Sequence, residues 1–181
     1  NNVTKFVNTF DGHNLNGLIF SAGMIYEDDS VLIDKDKYIE LFNANFLSIS
    51  FIVSNLALKN PEKKLSIIGF GSVSGLLGRK FNTYYAASKR ALHSYFESLG
   101  LSNIGGYKLQ FYILGYLNTN LAFGKKLILP KGKTSNLAKM VFKWRDKKFK
   151  VSYYPGYWSV ISLALKLVPF SVINIISKFI K

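Results

Sequence analysis

Residues 65–100, LSIIGFGSVSGLLGRKFNTYYAASKRALHSYFESLG, change their hydrophobic period partway along. Residues 65–70 (LSIIGF) are a short, nearly continuous apolar run, as expected of a strand covered on both faces. A Gly/Ser loop follows. From Thr83 to about residue 99 the apolar positions recur at helical spacing, and Gly100 is a candidate stop. Strand, loop and helix in this order make half of a parallel crossover, and the pattern repeats on both sides. Upstream, residues 15–21 (LNGLIFS) read as a buried strand ending in Ala22-Gly23. Residues 37–58 then carry Tyr38, Leu41, Phe42, Phe46, Ile49, Val53 and Leu56 at helical spacing, with Asn45 among them, and stop before Asn60-Pro61. Downstream, residues 109–114 (LQFYIL) read as a third strand. A loop over 115–133, a basic helix over 135–146, a strand over 149–153 and an apolar helical tail over 158–181, broken at Pro169, complete the chain. Alternating strands and helices predict an α/β fold, a doubly wound parallel sheet in one domain over residues 1–181. Such sheets bind ligands outside the carboxyl ends of their strands, so the loops after Ser21, Phe70 and Leu114 are where chemistry is expected.

The bulk composition narrows the chemistry. With 49% apolar residues in 181, the chain has the means to bury a core. It has no cysteine and only two histidines, His13 and His93, so no thiolate chemistry and no metal site are expected. The net charge of +14 is unevenly placed. Residues 1–40 hold three Lys/Arg against seven Asp/Glu, whereas residues 125–150 hold ten Lys/Arg and one acid, Asp146. That field favours anionic partners. Nucleic acid is not expected among them, because only Phe142, Trp144 and Phe149 fall within the basic block. No uninterrupted apolar run reaches the roughly 18–20 residues of a membrane span.

The residues with chemical promise cluster at the predicted strand ends. Tyr85 and Lys89 stand four apart on one helical face. A phenol with a pKa near 10 is a poor proton donor or acceptor at neutral pH, and a nearby ammonium lowers that value. By itself, Tyr and Lys at this spacing is a common accidental pair. Ser72, in the Gly/Ser loop, has a hydroxyl suited to polarise a carbonyl. Asn45, on an apolar face, must either bond backbone or hold a water.

Tyr85-Ala86-Ala87-Ser88-Lys89 resembles the YxxxK motif of the short-chain dehydrogenase/reductase family, and Gly71-Ser72-Val73-Ser74-Gly75 its S-S-x-A-G loop. Ala44-Asn45-Phe46-Leu47-Ser48 is similar to the segment supplying that family's asparagine, and Ser21-Ala22-Gly23 to its N-A-G turn. Residues 114–119, Leu-Gly-Tyr-Leu-Asn-Thr, resemble its P-G-x-x-x-T loop, with Leu114 in place of proline. The resemblance implies a Rossmann-like sheet, NAD or NADP as cofactor, and interconversion of a ketone and a secondary alcohol by hydride transfer. It implies Tyr85 as acid/base and Ser72 as hydrogen-bond donor to the substrate oxygen. Lys89 would lower the Tyr85 pKa and hold the nicotinamide ribose, and Asn45 would hold a water linked to Lys89. Ser21, Ala22, Gly23, Gly115 and Thr119 would line the cofactor, Gly115 and Thr119 at its carboxamide.

The family's T-G-x-x-x-G-x-G pyrophosphate turn has no counterpart here, and Asn2-Val3 resembles the D-V pair beside its adenine. The expectation is therefore an amino-terminally truncated sheet, beginning roughly sixty residues into the fold. Residues 1–122 would form the catalytic portion, and 123–181 the substrate loop, basic helix, last strand and apolar tail. A catalytically inactive fragment or scaffold subunit, or a basic membrane-surface binding protein, remains an alternative. Residues 154–158 (Tyr-Pro-Gly-Tyr-Trp) and Pro169-Phe170 are similar to the ends of bacterial members acting on sugar-, polyprenyl- or lipid-linked ketones. A homodimer through the helices over 38–58 and 83–99 is expected, because both are apolar over a wide face. A cytoplasmic location is expected from the absence of cysteine, and a peripheral position on the inner face of an anionic membrane from the apolar tail beside the basic block.

Overall fold

The computed structural model describes residues 15–27, 29–31, 34–59, 62, 64–102, 106–119 and 129–177, together with residue 9. Four parallel strands form one sheet in the order β1 (Gly17–Phe20), β2 (Ser66–Ser72), β3 (Lys108–Leu114) and β4 (Val151–Tyr154). The central strands are apolar on both faces, as predicted. Ile67 of β2 and Leu109, Phe111 and Ile113 of β3 belong to one core layer, Ile68 and Tyr112 to the other.

Between β1 and β2 lie α1 (Lys35–Phe42), a single π turn (Asn43–Leu47) and α2 (Ser48–Lys59). The Asp34 side chain starts α1 by accepting from the Asp36 amide at 2.9 Å. Leu41, Asn45, Ile49 and Val53 are all buried and four apart. In a regular helix, twelve residues at about 100° each would carry Val53 some 120° away from Leu41. The extra residue of the π turn takes back about 100°, which keeps the four on one stripe facing the sheet. This helix is long and apolar enough to cross a membrane, but its inward stripe is core.

The next helix, α3 (Thr83–Ser102), buries Leu92 and Phe96 on the same face of the sheet as α2. It runs through Gly100, which is not the stop expected from sequence. A side chain at Gly100 would overlap the Phe149 ring, so that glycine permits the chain ahead of β4 to pack on the helix. Strand β4 begins at Val151, two residues after the start expected at Phe149.

Helix α4 (Thr134–Trp144) packs Leu137 and Val141 on the opposite face, against Ile68 and Tyr112. Helices thus cover both faces, as the predicted architecture requires. The step from β3 to β4 continues in the same direction across the sheet but travels over the other face. It therefore has the opposite hand to the two crossovers before it, which departs from the usual uniform handedness. Gln110 secures that arrangement: its amide donates to the Trp144 carbonyl at the end of α4, and its carbonyl accepts from the Tyr112 hydroxyl. The tail divides at Pro169 into α5 (Trp158–Leu167) and α6 (Phe170–Ser177), as read from the sequence.

Candidate active site

The carboxyl ends of β1, β2 and β3 open onto the amino end of α3, and the predicted residues converge there. Lys89 is 5% exposed, and its ammonium donates to the Phe70 carbonyl at 3.3 Å. It stands 6.0 Å from the Tyr85 ring centroid. A Cβ added at Gly23 would lie 3.4 Å from Lys89 Nζ and 3.7 Å from Asn45 Oδ1, which brings the turn after β1 to the same point. Burial lowers the Lys89 ammonium from 10.5 to about 8.

Tyr85 behaves differently from the expectation. Burial raises its phenol above 10.0, and this outweighs the opposing pull of a hydrogen bond with Ser72 and of the Arg79 charge. Ser72 and Arg79, and not Lys89, supply the lowering influence; the Lys89 ammonium faces the ring and bonds the Phe70 carbonyl. Ser72 closes β2 and caps the 3-10 turn Val73–Leu76, its hydroxyl accepting from the Ser74 amide at 3.1 Å. Arg79, which the sequence did not single out, donates to the Ser74 hydroxyl at 3.0 Å.

Asn45 bonds backbone. Its carbonyl accepts from the Met24 amide at 2.8 Å, and its amide donates to the Met24 carbonyl at 2.8 Å and to Ser88 Oγ at 3.1 Å. The π turn presents Asn45 to the β1 loop and to α3 together. Fully buried, it fixes the turn containing Gly23 against the helix carrying Tyr85 and Lys89.

Ser21, Ala22 and Gly23 form an exposed segment at the end of β1. Gly115 follows β3, but its amide is committed, donating to the Tyr154 carbonyl at 2.8 Å. A side chain there would collide with the Trp158 indole. Thr119 is exposed, at the border of the described residues, and Asn2 and Val3 lie outside them.

Asp29 is the member that sequence reading missed. It is 1% exposed, and its two carboxylate oxygens accept from the Tyr84 amide at 2.9 Å and the Tyr85 amide at 2.7 Å. Its carbonyl accepts from the Asn82 amide at 2.7 Å. Asn82 precedes α3 with φ at +62°, a left-handed conformation unlike the extended one of an ordinary capping residue. The carboxylate comes instead from a loop 55 residues upstream. In the sequence it is the last of the run Glu27-Asp28-Asp29, which looks like solvated charge. The local hint was the Asn82-Thr83 pair, where a cap was to be expected.

The short chain dehydrogenase family description matches residues 1–122. Hydroxysteroid 11-beta-dehydrogenase 1-like protein B of Xenopus laevis is 30% identical over 134 residues, covering 70% of this chain and 45% of that protein. The companion protein A matches equally. The chain thus spans about half the length of the curated relatives it matches. Among solved structures, the fold is similar to a short-chain dehydrogenase from Sphingobium yanoikuyae in complex with NADPH. The TM-score is 0.73 at 18% identity, over 91% of this chain and 68% of that one. A bulky-bulky ketone specific alcohol dehydrogenase from Comamonas testosteroni gives the same score and identity, over 91% and 66%. At that identity the structural likeness speaks for the fold, and the sequence matches speak for descent. On the residues matched, this chain belongs to the short chain dehydrogenase family.

Proposed function

We propose that the protein is an NAD- or NADP-dependent oxidoreductase that interconverts a ketone and a secondary alcohol, with Tyr85 as the acid/base. The observation that carries this is the convergence of Ser72, Tyr85 and Lys89 at the carboxyl end of β2, with Ser72 and Tyr85 hydrogen-bonded. The residues suit a nicotinamide cofactor. The buried Lys89 ammonium has three donors, of which one meets the Phe70 carbonyl, and the Gly23 backbone comes close beside it. Lys89 and Tyr85 would hold the ribose, Ser21–Gly23 would line it, and the Gly115 carbonyl and Thr119 would meet the carboxamide. When bound, the nicotinamide supplies or accepts the hydride. Tyr85 gives its proton to the carbonyl oxygen, or takes it from the alcohol. Ser72 donates a hydrogen bond to that oxygen as charge develops on it. Asn45 holds the β1 turn and α3 in register.

The test follows nicotinamide absorbance with a panel of ketones and alcohols. Tyr85→Phe should lose about 10²- to 10⁴-fold in turnover while cofactor affinity stays near the parent's. A parental rate in this variant refutes the assignment.

A further part of the reading concerns place and partners: a cytoplasmic homodimer acting on a small or lipid-linked substrate at an anionic membrane face. Helix α5 supports the membrane part because an exposed apolar stripe lies opposite its buried side. Trp158 and Ser162 are buried on one, while Val160, Leu163 and Leu167 form an exposed stripe on the other that leads to exposed Phe170. The helix lies against β4 and the turn after Ser72, which sets it beside the site with the stripe turned outward. Exposed Lys131 and Lys133 border its start, where the Tyr157 hydroxyl donates to the Pro130 carbonyl at 2.7 Å. Apolar insertion with basic flanks is the pairing that holds peripheral proteins on anionic lipid. The homodimer is supported by exposed Ile39, Leu47, Phe51 and Leu58 along α1, the π turn and α2, with Leu101 on α3.

A further inference from the structure

We infer that Asp29 is a positioning residue for Tyr85: its carboxylate fixes where α3 begins, and thereby where the phenol stands relative to Ser72 and Lys89. This goes beyond the proposed reaction, although it takes the importance of Tyr85 from it. Three observations carry the inference.

The first is chemical. A carboxylate that is 1% exposed needs strong partners to remain buried, and these are the Tyr84 and Tyr85 amides at 2.9 and 2.7 Å. Both amides are among the donors that a helix cannot satisfy within itself, and a negative charge is favoured at that end.

The second is geometric. One of the two bonded amides belongs to Tyr85 itself, so the anchor acts on the backbone of the residue whose side chain must be placed. Asn82, at the usual capping position, has left-handed backbone and leaves the task to Asp29.

The third is the setting. The Asp29 loop and the helix α1 that follows it grip α3 at further points. The Asp29 carbonyl accepts from the Asn82 amide at 2.7 Å, the Val31 carbonyl accepts from the Tyr84 hydroxyl at 3.4 Å, and Tyr38 stacks on Tyr84 at 5.1 Å. The same segment begins with the Ser21–Gly23 turn, which Asn45 clamps through Met24. The end of β1 and the start of α3 are therefore tied at two places, one on each side of the site.

A cap that only stabilises the fold would lower the melting temperature and speed exchange at the amides it holds, but would leave the Tyr85 titration unmoved. The experiment reads two quantities without using turnover, so it can fail independently of the oxidoreductase proposal. In the full chain, hydrogen exchange reports the Tyr84 and Tyr85 amides. The Tyr85 phenol is titrated by ultraviolet absorbance as the difference between each protein and the same protein carrying Tyr85→Phe. Asp29→Ala should speed exchange at both amides about tenfold to a hundredfold. Its Tyr85 midpoint should fall toward 10.0 as the helix start loosens and water reaches the phenol. Asp29→Asn offers one carbonyl oxygen to two donors, so one amide should exchange about tenfold faster, with a smaller fall in the midpoint. Asp34→Ala is the control. It removes the cap of α1, 2.9 Å from the Asp36 amide, and should lower the melting temperature without moving Tyr85. If Asp29→Ala does not fold, Asp29→Asn decides. An unmoved Tyr85 midpoint in whichever variant folds overturns the inference, as does a midpoint that moves equally in Asp34→Ala.

Discussion

Replacing Lys89 with methionine, a side chain of similar length without charge, should make the protein more stable near neutral pH. Burial takes the ammonium from 10.5 to about 8. At about 1.4 kcal/mol for each tenfold change in proton affinity, holding the charged form in that site costs the folded state about 3 kcal/mol. Lys89→Met removes this cost but also the bond to the Phe70 carbonyl at 3.3 Å, worth about 1 kcal/mol. A net gain of about 2 kcal/mol remains, or about 4–8 °C in Tm for a chain of this size. The sign with pH follows from linkage. Below about 8, Lys89 is charged whether the chain is folded or unfolded, and the full cost is present. Between about 8 and 10.5 the unfolded chain binds the additional proton, so the parent gains stability as pH rises. The advantage of Lys89→Met should therefore be widest below 8 and should close as pH approaches 10.5. Urea unfolding of both proteins, followed by tryptophan fluorescence near neutral pH and at about pH 10, measures the gap. A variant less stable than its parent at neutral pH, or a gap that does not narrow, refutes the reasoning. A functional group kept at the expense of stability is the pattern of a site.

Gly100→Ala should destabilise the protein by about 1–3 kcal/mol in urea unfolding, because the added methyl meets the Phe149 ring. A neutral result would mean that the segment ahead of β4 does not rest on α3. Leu163→Glu combined with Leu167→Glu alters two residues that are 63% and 78% exposed, so the fold should hold while sedimentation with anionic vesicles falls at least tenfold. Undiminished sedimentation would remove the α5 stripe from the membrane reading. Light scattering should return the mass of a dimer, reduced to that of a monomer by Phe51→Glu with Leu58→Glu. A monomeric parent would count against the homodimer.

The strands and their burial were legible because parallel strands covered on both faces must be largely apolar, as residues 65–70 and 109–114 are apart from Ser66 and Gln110. The convergence of Ser72, Tyr85 and Lys89 was legible for a different reason. Parallel strands end on the same side, and residues four apart on a helix share a face, but spacing alone left Tyr85 and Lys89 an ordinary pair. The resemblance of the motifs to the family's joined them with Ser72. Gly100 was misread because a glycine that ends a helix and one that admits a neighbouring ring look alike until the ring is placed. The π turn was hidden because a four-residue spacing is compatible with either helix geometry. Which way the Tyr85 phenol titrates was also beyond the sequence. A lysine four residues away suggests one sign, but burial sets the opposite one and outweighs the Ser72 hydrogen bond and the Arg79 charge. Asp29 shows the limit most plainly. Its position in a run of acids predicts exposure, and only the return of α3 to the β1 loop, 55 residues later, turns that carboxylate into a buried cap. The sequence by itself determined the elements, their order and the end of the sheet where chemistry gathers, because those follow from periodicity along the chain. Tertiary structure alone decided which groups are dehydrated and which backbone donors they meet, because desolvation and hydrogen bonding depend on atoms far apart in sequence.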